Sequence, residues 1–241
     1  MKNKFAIVTG ASTGIGRATA IELGRNGATV ALVARSKEKL EETKRLVKEA
    51  GGNGIVFEAD LSDINSINSL ISSIKQEIQQ IDILVNVAGI WHGKDEAYAG
   101  KDFETFDQNV ILDTYSVGLV APTLLSHGFI PLMSKGSSII NLSGTFENGG
   151  KGWLPYYVSK RGIEDLTIGL SEELKDKGIN VNCVSPSDTA TDEYKRFFPE
   201  DADGAQTPEQ VAKLFLEIID KDATGKVFMI KNGQVEEVFH K

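Results

Sequence analysis

The sequence is poor in the residues that build covalent and metal frameworks. It has one cysteine, Cys183, and three histidines among 241 residues. A lone thiol excludes an internal disulfide framework and a zinc site of the multi-cysteine kind, and no metal site is expected. Cys183 lies in the apolar run INVNCVS, where a buried, unreactive thiol is expected. An excess of positive charge is also missing. Asp and Glu number 34 against 26 Lys and Arg, a net charge of −8, and the two signs are interspersed, so no basic face for nucleic acid is expected. The apolar part of MKNKFAIVTG is too short for a signal peptide. The charge-free stretch from Ser116 to Met133 approaches the length of a membrane span. It is interrupted by Gly118, Pro122, His127, Gly128 and Pro131, which favours a buried helix, so the expectation is a cytoplasmic protein without membrane partners.

The residues present make an ordinary globular composition, 41% hydrophobic and 25% charged, long enough for one domain over residues 1–241 with a substantial core. Apolar runs of strand length alternate with amphipathic stretches from end to end. FAIVTG, ATVALVA, GIVFEAD, DILVNVAG, SSIINLSG, INVNCVSP and KVFMIKNG read as strands. Between them, helices are expected near 14–26, 36–50, 64–78, 106–133, 155–177 and 208–219. Near-continuous apolar strands alternating with helices predict a parallel sheet covered on both faces. Only Ser187 to Gln206 lacks clear periodicity, and a polar, acidic loop is expected there, of the kind that forms lids or binding loops.

Two stretches carry chemistry. VTGASTGIGRA follows the first strand and opens the first helix. Gly10, Gly14 and Gly16 let the backbone turn sharply and approach a ligand closely. The helix N-terminus then offers unpaired amides and the positive end of its dipole to a pyrophosphate. The second stretch, LPYYVSKRG, places Tyr156 and Tyr157 before Lys160. Residues three and four apart are both neighbours on a helix face, so geometry leaves open which phenol stands beside the lysine.

Thr9, Gly10, Gly14 and Gly16 form a Thr-Gly-x-x-x-Gly-x-Gly pattern. Asp60 and Leu61 follow the third strand, NVAG spans Asn86 to Gly89, and YYVSK contains Tyr156 and Lys160. In this order and spacing the chain resembles the short-chain dehydrogenase/reductase family. The resemblance implies a doubly wound Rossmann-type α/β fold with a parallel sheet of about seven strands. It implies an oxidoreductase moving a hydride between a nicotinamide cofactor and a carbonyl or alcohol, assembled as a homodimer or homotetramer, here through regions 106–133 and 155–177. It makes Tyr156 the acid/base, beside a Lys160 that lowers its pKa and holds ribose, and leaves Tyr157 to packing. Ser143, thirteen residues before Tyr156, becomes the hydroxyl on the substrate oxygen, with Thr145 as the fallback. Aligning the strand itself instead puts Gly144 in that position. Cofactor contacts are implied for Thr9, Gly10, Ser12, Thr13, Gly14, Ile15, Gly16, Asp60, Leu61, Asn86, Ala88, Gly89, Pro186, Thr189 and Thr191, besides Tyr156 and Lys160.

The choice of cofactor rests on the end of the second strand. An NAD-preferring enzyme places Asp or Glu there for the ribose 2′-hydroxyl. Here Ala34 is followed by Arg35 and Ser36, and Arg17 follows the glycine loop. Guanidinium groups suit a 2′-phosphate, so NADP(H) is expected. Three departures from the family pattern stand beside the match. Val87 replaces an Asn, Ser187 replaces a Gly, and Tyr115 stands where the family has an Asn that holds a relay water. Asn109 lies almost two turns from Tyr115, too far to take over that task. These departures keep a second reading open, an NADP(H)-binding sensor or scaffold protein without turnover. Trp91, Tyr115, Phe146 and Trp153 are candidates for an apolar or aromatic substrate pocket.

Overall fold

The computed structural model describes residues 1–146, 149–231 and 233–238. The strands are β1 (Phe5–Thr9), β2 (Thr29–Ala34), β3 (Asn53–Glu58), β4 (Ile83–Asn86), β5 (Ser138–Leu142), β6 (Asn180–Pro186), β7 (Val227–Lys231) and β8 (Gln234–Val238). They form one sheet in the order β3-β2-β1-β4-β5-β6-β7-β8. All neighbours pair in parallel except β7 and β8. The antiparallel β8 is the strand that apolar patterning missed, because two of the five residues of QVEEV are charged and it lies at the sheet edge. Asn232, within the expected last strand, lies outside the described residues.

The helices are α1 (Gly14–Arg25), α2 (Lys37–Glu49), α3 (Ile64–Glu77), α4 (Gln108–Tyr115), α5 (Ala121–Phe129), α6 (Leu154–Leu174), α7 (Asp192–Phe197) and α8 (Pro208–Ile219). Their starts follow local chemistry. Ser36, Asp63, Asp107, Thr191 and Thr207 each cap a helix by accepting from a backbone amide. At α8, Thr207 and Gln210 complete a reciprocal capping box, which satisfies two otherwise orphaned donors.

Continuous apolar strands are explained by cover on both faces. In β1, Ala6 and Val8 join the core under α1, α2 and α8, with Leu23, Leu40, Val211 and Phe215. Ile7 joins the opposite core under α3, α5 and α6, with Ile67, Leu125, Phe129 and Leu174. Each such buried aliphatic or aromatic side chain contributes about 1.5–3 kcal/mol relative to exposure.

The helical region expected near 106–133 is divided. A π-helical turn, Ser116–Val120, joins α4 to α5. At this turn a Cβ on Gly118 would lie 2.9 Å from Ser159 Oγ of α6, so the widened backbone and the glycine together let the two helices come close. The span Gln108–Leu132 is long and apolar enough to cross a membrane, with a mean hydropathy of 1.2, and 44% of that apolar window is buried, where it packs on α3 and α6.

The sheet order reverses at β1, whose neighbours β2 and β4 lead away in opposite directions. In open α/β sheets, ligands bind at the strand C-terminal ends beside this reversal. The glycine loop, the NVAG segment, the segment after β5 and the segment after β6 all leave the sheet at that end. The segment 187–206 differs from expectation, because α7 forms within it. It is also tied down at its base. Gln206 Nε2 donates to Ser187 Oγ at 2.8 Å and to the Ile230 carbonyl at 2.9 Å.

Candidate active site

The glycine loop is shaped by contacts that only glycine permits. Gly10 and Gly14 have φ of +66° and +53°, in the left-handed region where a Cβ is strained. A Cβ on Gly16 would lie 2.2 Å from the Gly10 carbonyl oxygen, and one on Gly10 would lie 3.1 Å from Ala88 Cα. Thr13, at the N-cap of α1, makes no side-chain cap, and no acidic residue stands in the first turn. The first amides of α1 are left for a ligand, and such an N-terminus is an anion site. The cradle fits a dinucleotide pyrophosphate.

Several residues expected at the cofactor also organise this cradle. Thr9 Oγ1 accepts from the amides of Val87 and Ala88 at 3.0 and 3.2 Å, locking the end of β4 to β1. Asn86 Nδ2 donates to Asn141 Oδ1 at 2.9 Å, and Asn141 donates in turn to Thr167. The carbonyl of Ser12 accepts from Arg17, whose Nε donates to Thr43 Oγ1 at 3.1 Å. Arg17 therefore braces the loop on α2. Ser36 caps α2, while Arg35 is exposed. Leu61 is buried beside Asp60. Burial alone would raise the Asp60 pKa, but two hydrogen bonds from Ser62 and the Arg35 charge outweigh it and hold the carboxyl below its usual range. Ile15 packs on the core beneath the loop.

The segment after β6 comes down on this loop. Pro186 ends β6, Thr189 is buried, and Thr191 places its methyl 3.0 Å from where a Gly14 Cβ would be. The far end of the same crevice holds the tyrosine and lysine. Tyr156 and Lys160 lie on one face of α6, with Lys160 Nζ 5.3 Å from the Tyr156 ring centroid. A Cβ on Gly89, from the end of β4, would lie 3.4 Å from Lys160 Nζ and 3.8 Å from the Tyr156 ring. Tyr157 meets Phe146 edge-on at 5.1 Å and crowds Gly150, which is a packing position.

Two expectations are corrected here. Ser143 does not turn its hydroxyl to Tyr156. It is buried and donates to Glu164 Oε1 at 2.5 Å, with the Lys160 carbonyl 3.2 Å away. Gly144 faces the phenol instead: a Cβ there would lie 3.9 Å from Tyr156 Oη. Strand alternation is the reason, because successive residues point to opposite sides. Thr145 is no replacement, since its hydroxyl bonds Ser185 O and Oγ at 3.2 and 3.1 Å. The second correction concerns the phenol. Burial pushes the Tyr156 pKa up rather than down, and burial also lowers Lys160 from 10.5 to about 8, against the opposing pull of Cys183 and Glu164. Lys160 Nζ donates to the Leu142 carbonyl at 2.7 Å. Desolvation thus favours the protonated phenol and the neutral amine.

Glu164 is a residue the sequence reading missed. It is buried, accepts from Ser143 and pairs with Arg161 at 2.6 Å. Its position four residues after Lys160, on the same helix face, was the available signal. The aromatics of α7 were the other omission. Trp91 stands 6.3, 6.0 and 6.1 Å from Tyr194, Phe197 and Phe198. Trp153 stands 5.8 Å from Phe198 and 6.2 Å from Tyr156, and Phe146 lies 5.9 Å from Tyr156. Arg196 pairs with Asp95 at 3.5 Å, so α7 is clasped to the segment after β4 by both charge and rings. Tyr115 closes α4 at the π turn.

A family model described as short chain dehydrogenase matches residues 4–202. The chain belongs to the short-chain dehydrogenase family. It is 31% identical over 188 residues to the uncharacterized oxidoreductase YhxC of Bacillus subtilis, covering 77% of this chain and 64% of that protein, so the match spans just under two thirds of that relative's length. Among solved structures it is similar to a dehydrogenase/reductase from Sinorhizobium meliloti, with a TM-score of 0.85, 28% identity and 97% and 95% of the two chains covered. It is also similar to a short chain dehydrogenase from Burkholderia cenocepacia in complex with NADP, with a TM-score of 0.83, 26% identity and 96% and 98% coverage.

Proposed function

We propose that this short-chain dehydrogenase is an NADP(H)-dependent reductase of carbonyl compounds, acting as one unit over residues 1–241, with 187–206 as its substrate segment. The observation that carries the reading is the convergence at Gly89. One residue at the end of β4, next to the glycine cradle, abuts both Lys160 and Tyr156. When bound, the reduced nicotinamide supplies the hydride. The glycine loop and the first turn of α1 hold the pyrophosphate, with Ser12, Thr13 and Ile15 in its walls. Asp60 and Leu61 flank the adenine end; Ala88, Gly89, Pro186, Thr189 and Thr191 line the other. Lys160 holds ribose hydroxyls and places a positive charge beside the phenol. Tyr156 gives its proton to the substrate oxygen as negative charge grows there.

The 2′-phosphate is assigned to Arg35, Ser36 and Arg17. Arg35 is exposed at the end of β2 and close enough to influence Asp60, and no carboxylate stands at Ala34 to Ser36 to repel a phosphate. The NADP complex of the similar Burkholderia protein supports the assignment. NADPH is expected to bind at least about tenfold more tightly than NADH, the size of one charge-assisted pair. Arg35→Asp is expected to remove that preference. Titration of both cofactors into both proteins checks it, and equal affinities in the parent protein would sink the assignment.

Self-association is assigned to α4–α5 and α6, where Leu112, Val120, Leu154 and Val158 are exposed by 61, 43, 36 and 41%. Exposed apolar side chains on adjacent helices mark an interaction face. Val158→Glu is expected to halve or quarter the sedimenting mass; an unchanged mass removes this face from consideration.

The second reading, a cofactor-binding sensor or scaffold without turnover, is favoured by one observation, the glycine at position 144 facing Tyr156. Tight NADPH binding with no oxidation of NADPH across ketones and aldehydes would select it.

A further inference from the structure

The space beside the Tyr156 hydroxyl has an unusual lining. The serine expected there is absent from the wall, because Gly144 holds the position and its Cβ site is 3.9 Å from Tyr156 Oη. Both flanking hydroxyls are engaged with the protein, Ser143 on Glu164 and Thr145 on Ser185. A carbonyl oxygen receiving the phenol's proton would therefore meet a glycine methylene where a second donor would help it. Loss of one such donor costs about 10²–10³ in rate. Aromatic rings line another side of the phenol. Phe146 and Trp153 flank the Tyr156 ring at 5.9 and 6.2 Å, and Phe198 and Trp91 extend the wall at 5.8 and 6.1 Å from ring to ring. Rings so placed favour a flat aromatic guest, stacked or edge-on.

Resting on the reductase reading above, we propose that Gly144 is a specificity residue that selects aromatic ketones carrying a hydroxyl ortho to the carbonyl. The substrate's own hydroxyl hydrogen-bonds its carbonyl oxygen and sits in the room that a residue-144 side chain would take. In the reaction, the hydride of the reduced nicotinamide adds to the carbonyl carbon. The carbon–oxygen π pair takes the Tyr156 proton, and the ortho-hydroxyl keeps its own proton while its hydrogen bond strengthens. The donor is pre-positioned by the substrate's covalent frame, so no protein side chain has to be ordered for it.

The test uses acetophenone and its ortho- and para-hydroxy derivatives, with NADPH and the intact chain. The para compound matches the ortho compound in ring electronics but holds its hydroxyl out of reach. The parent protein is expected to favour ortho over para by about 10²-fold in kcat/KM, the size of a lost oxyanion donor. In Gly144→Ser, whose new Cβ meets nothing closer than 3.4 Å, the para and unsubstituted ketones are expected to gain while the ortho compound loses its advantage. A second readout is independent of turnover. The chain has two tryptophans, Trp91 and Trp153, and both stand in this wall. Quenching of their fluorescence is therefore expected to show tighter binding of the ortho than the para compound, and the reverse order in Gly144→Ser. Reduction of all three ketones at similar rates, with similar quenching, overturns the proposal and leaves the reductase reading standing. NADPH binding without reduction of any of them overturns both.

Discussion

Replacing Tyr156 by Phe is expected to lower ketone reduction by about 10²–10⁴-fold, the range for removal of a general acid, while leaving NADPH affinity unchanged. The separation follows from the geometry. The hydroxyl is the group next to the substrate space, whereas the cradle at Gly10 to Gly16 is built by backbone contacts that do not involve it. The pH dependence carries the same information. Burial raises the phenol pKa, so the proton to be donated is present throughout the neutral range. The neighbouring ammonium has a pKa lowered to about 8, so its charge is present below that pH and lost above it. Reductive kcat/KM is therefore expected to stay level from about pH 6 to 8 and to fall beyond, as Lys160 loses the charge that favours the phenolate left behind. A Tyr156→Phe protein that retained the parental kcat would remove Tyr156 from the chemistry, and a rate still rising above pH 9 would contradict the role given to Lys160.

Gly16→Ala is expected to produce the second large effect, this time on cofactor and fold together. The added methyl would sit 2.2 Å from the Gly10 carbonyl oxygen. That partner is backbone and cannot swing aside, so the loop or the first turn of α1 must move. Overpacking of this kind costs about 1–3 kcal/mol, or a drop in Tm of roughly 3–10 °C for a domain of this size. Displacing the amides at the start of α1 also weakens the anion site, and NADPH affinity is expected to fall by more than about tenfold. Gly169→Ala in α6 is the matched control. Nothing lies within 4 Å of its added methyl, so the substitution is expected to stabilise the helix by about 1 kcal/mol and to leave NADPH binding alone. Undiminished NADPH binding by Gly16→Ala would place the cofactor somewhere other than this loop.

Much of this molecule could be read from its residues in order. The parallel, doubly covered sheet was legible because its strands are short, apolar throughout and separated by helices of regular period, and these are local properties. The cradle was legible for the same reason, since Gly10, Gly14 and Gly16 meet within one strand–turn–helix. Tyr156 and Lys160 share a helix face by spacing alone, although the choice between Tyr156 and Tyr157 needed the family resemblance. The edge strand β8 escaped because edge strands are not obliged to be apolar. The helix α7 escaped because six residues carry too little periodicity to register against an acidic background.

Which way side chains point at the strand ends, and what buries them, could only be decided in three dimensions. Sequence spacing placed Ser143 at the substrate, but the pleat of β5 turns it into the interior, where Glu164 receives it, and brings Gly144 out toward Tyr156. The charges behaved likewise. Lys160 beside Tyr156 suggests a lowered phenol pKa, yet desolvation is the leading cause of each shift. The sequence by itself determined the fold, the phosphate cradle and the tyrosine–lysine pair, because each depends on neighbours within one or two turns of chain. The tertiary structure decided the burial of Lys160, the glycine that faces Tyr156 and the aromatic wall that α7 brings over it. The wall joins segments as distant as Trp91 and Phe198, and the facing of Gly144 depends on how the chain leaves β5, neither of which local spacing encodes.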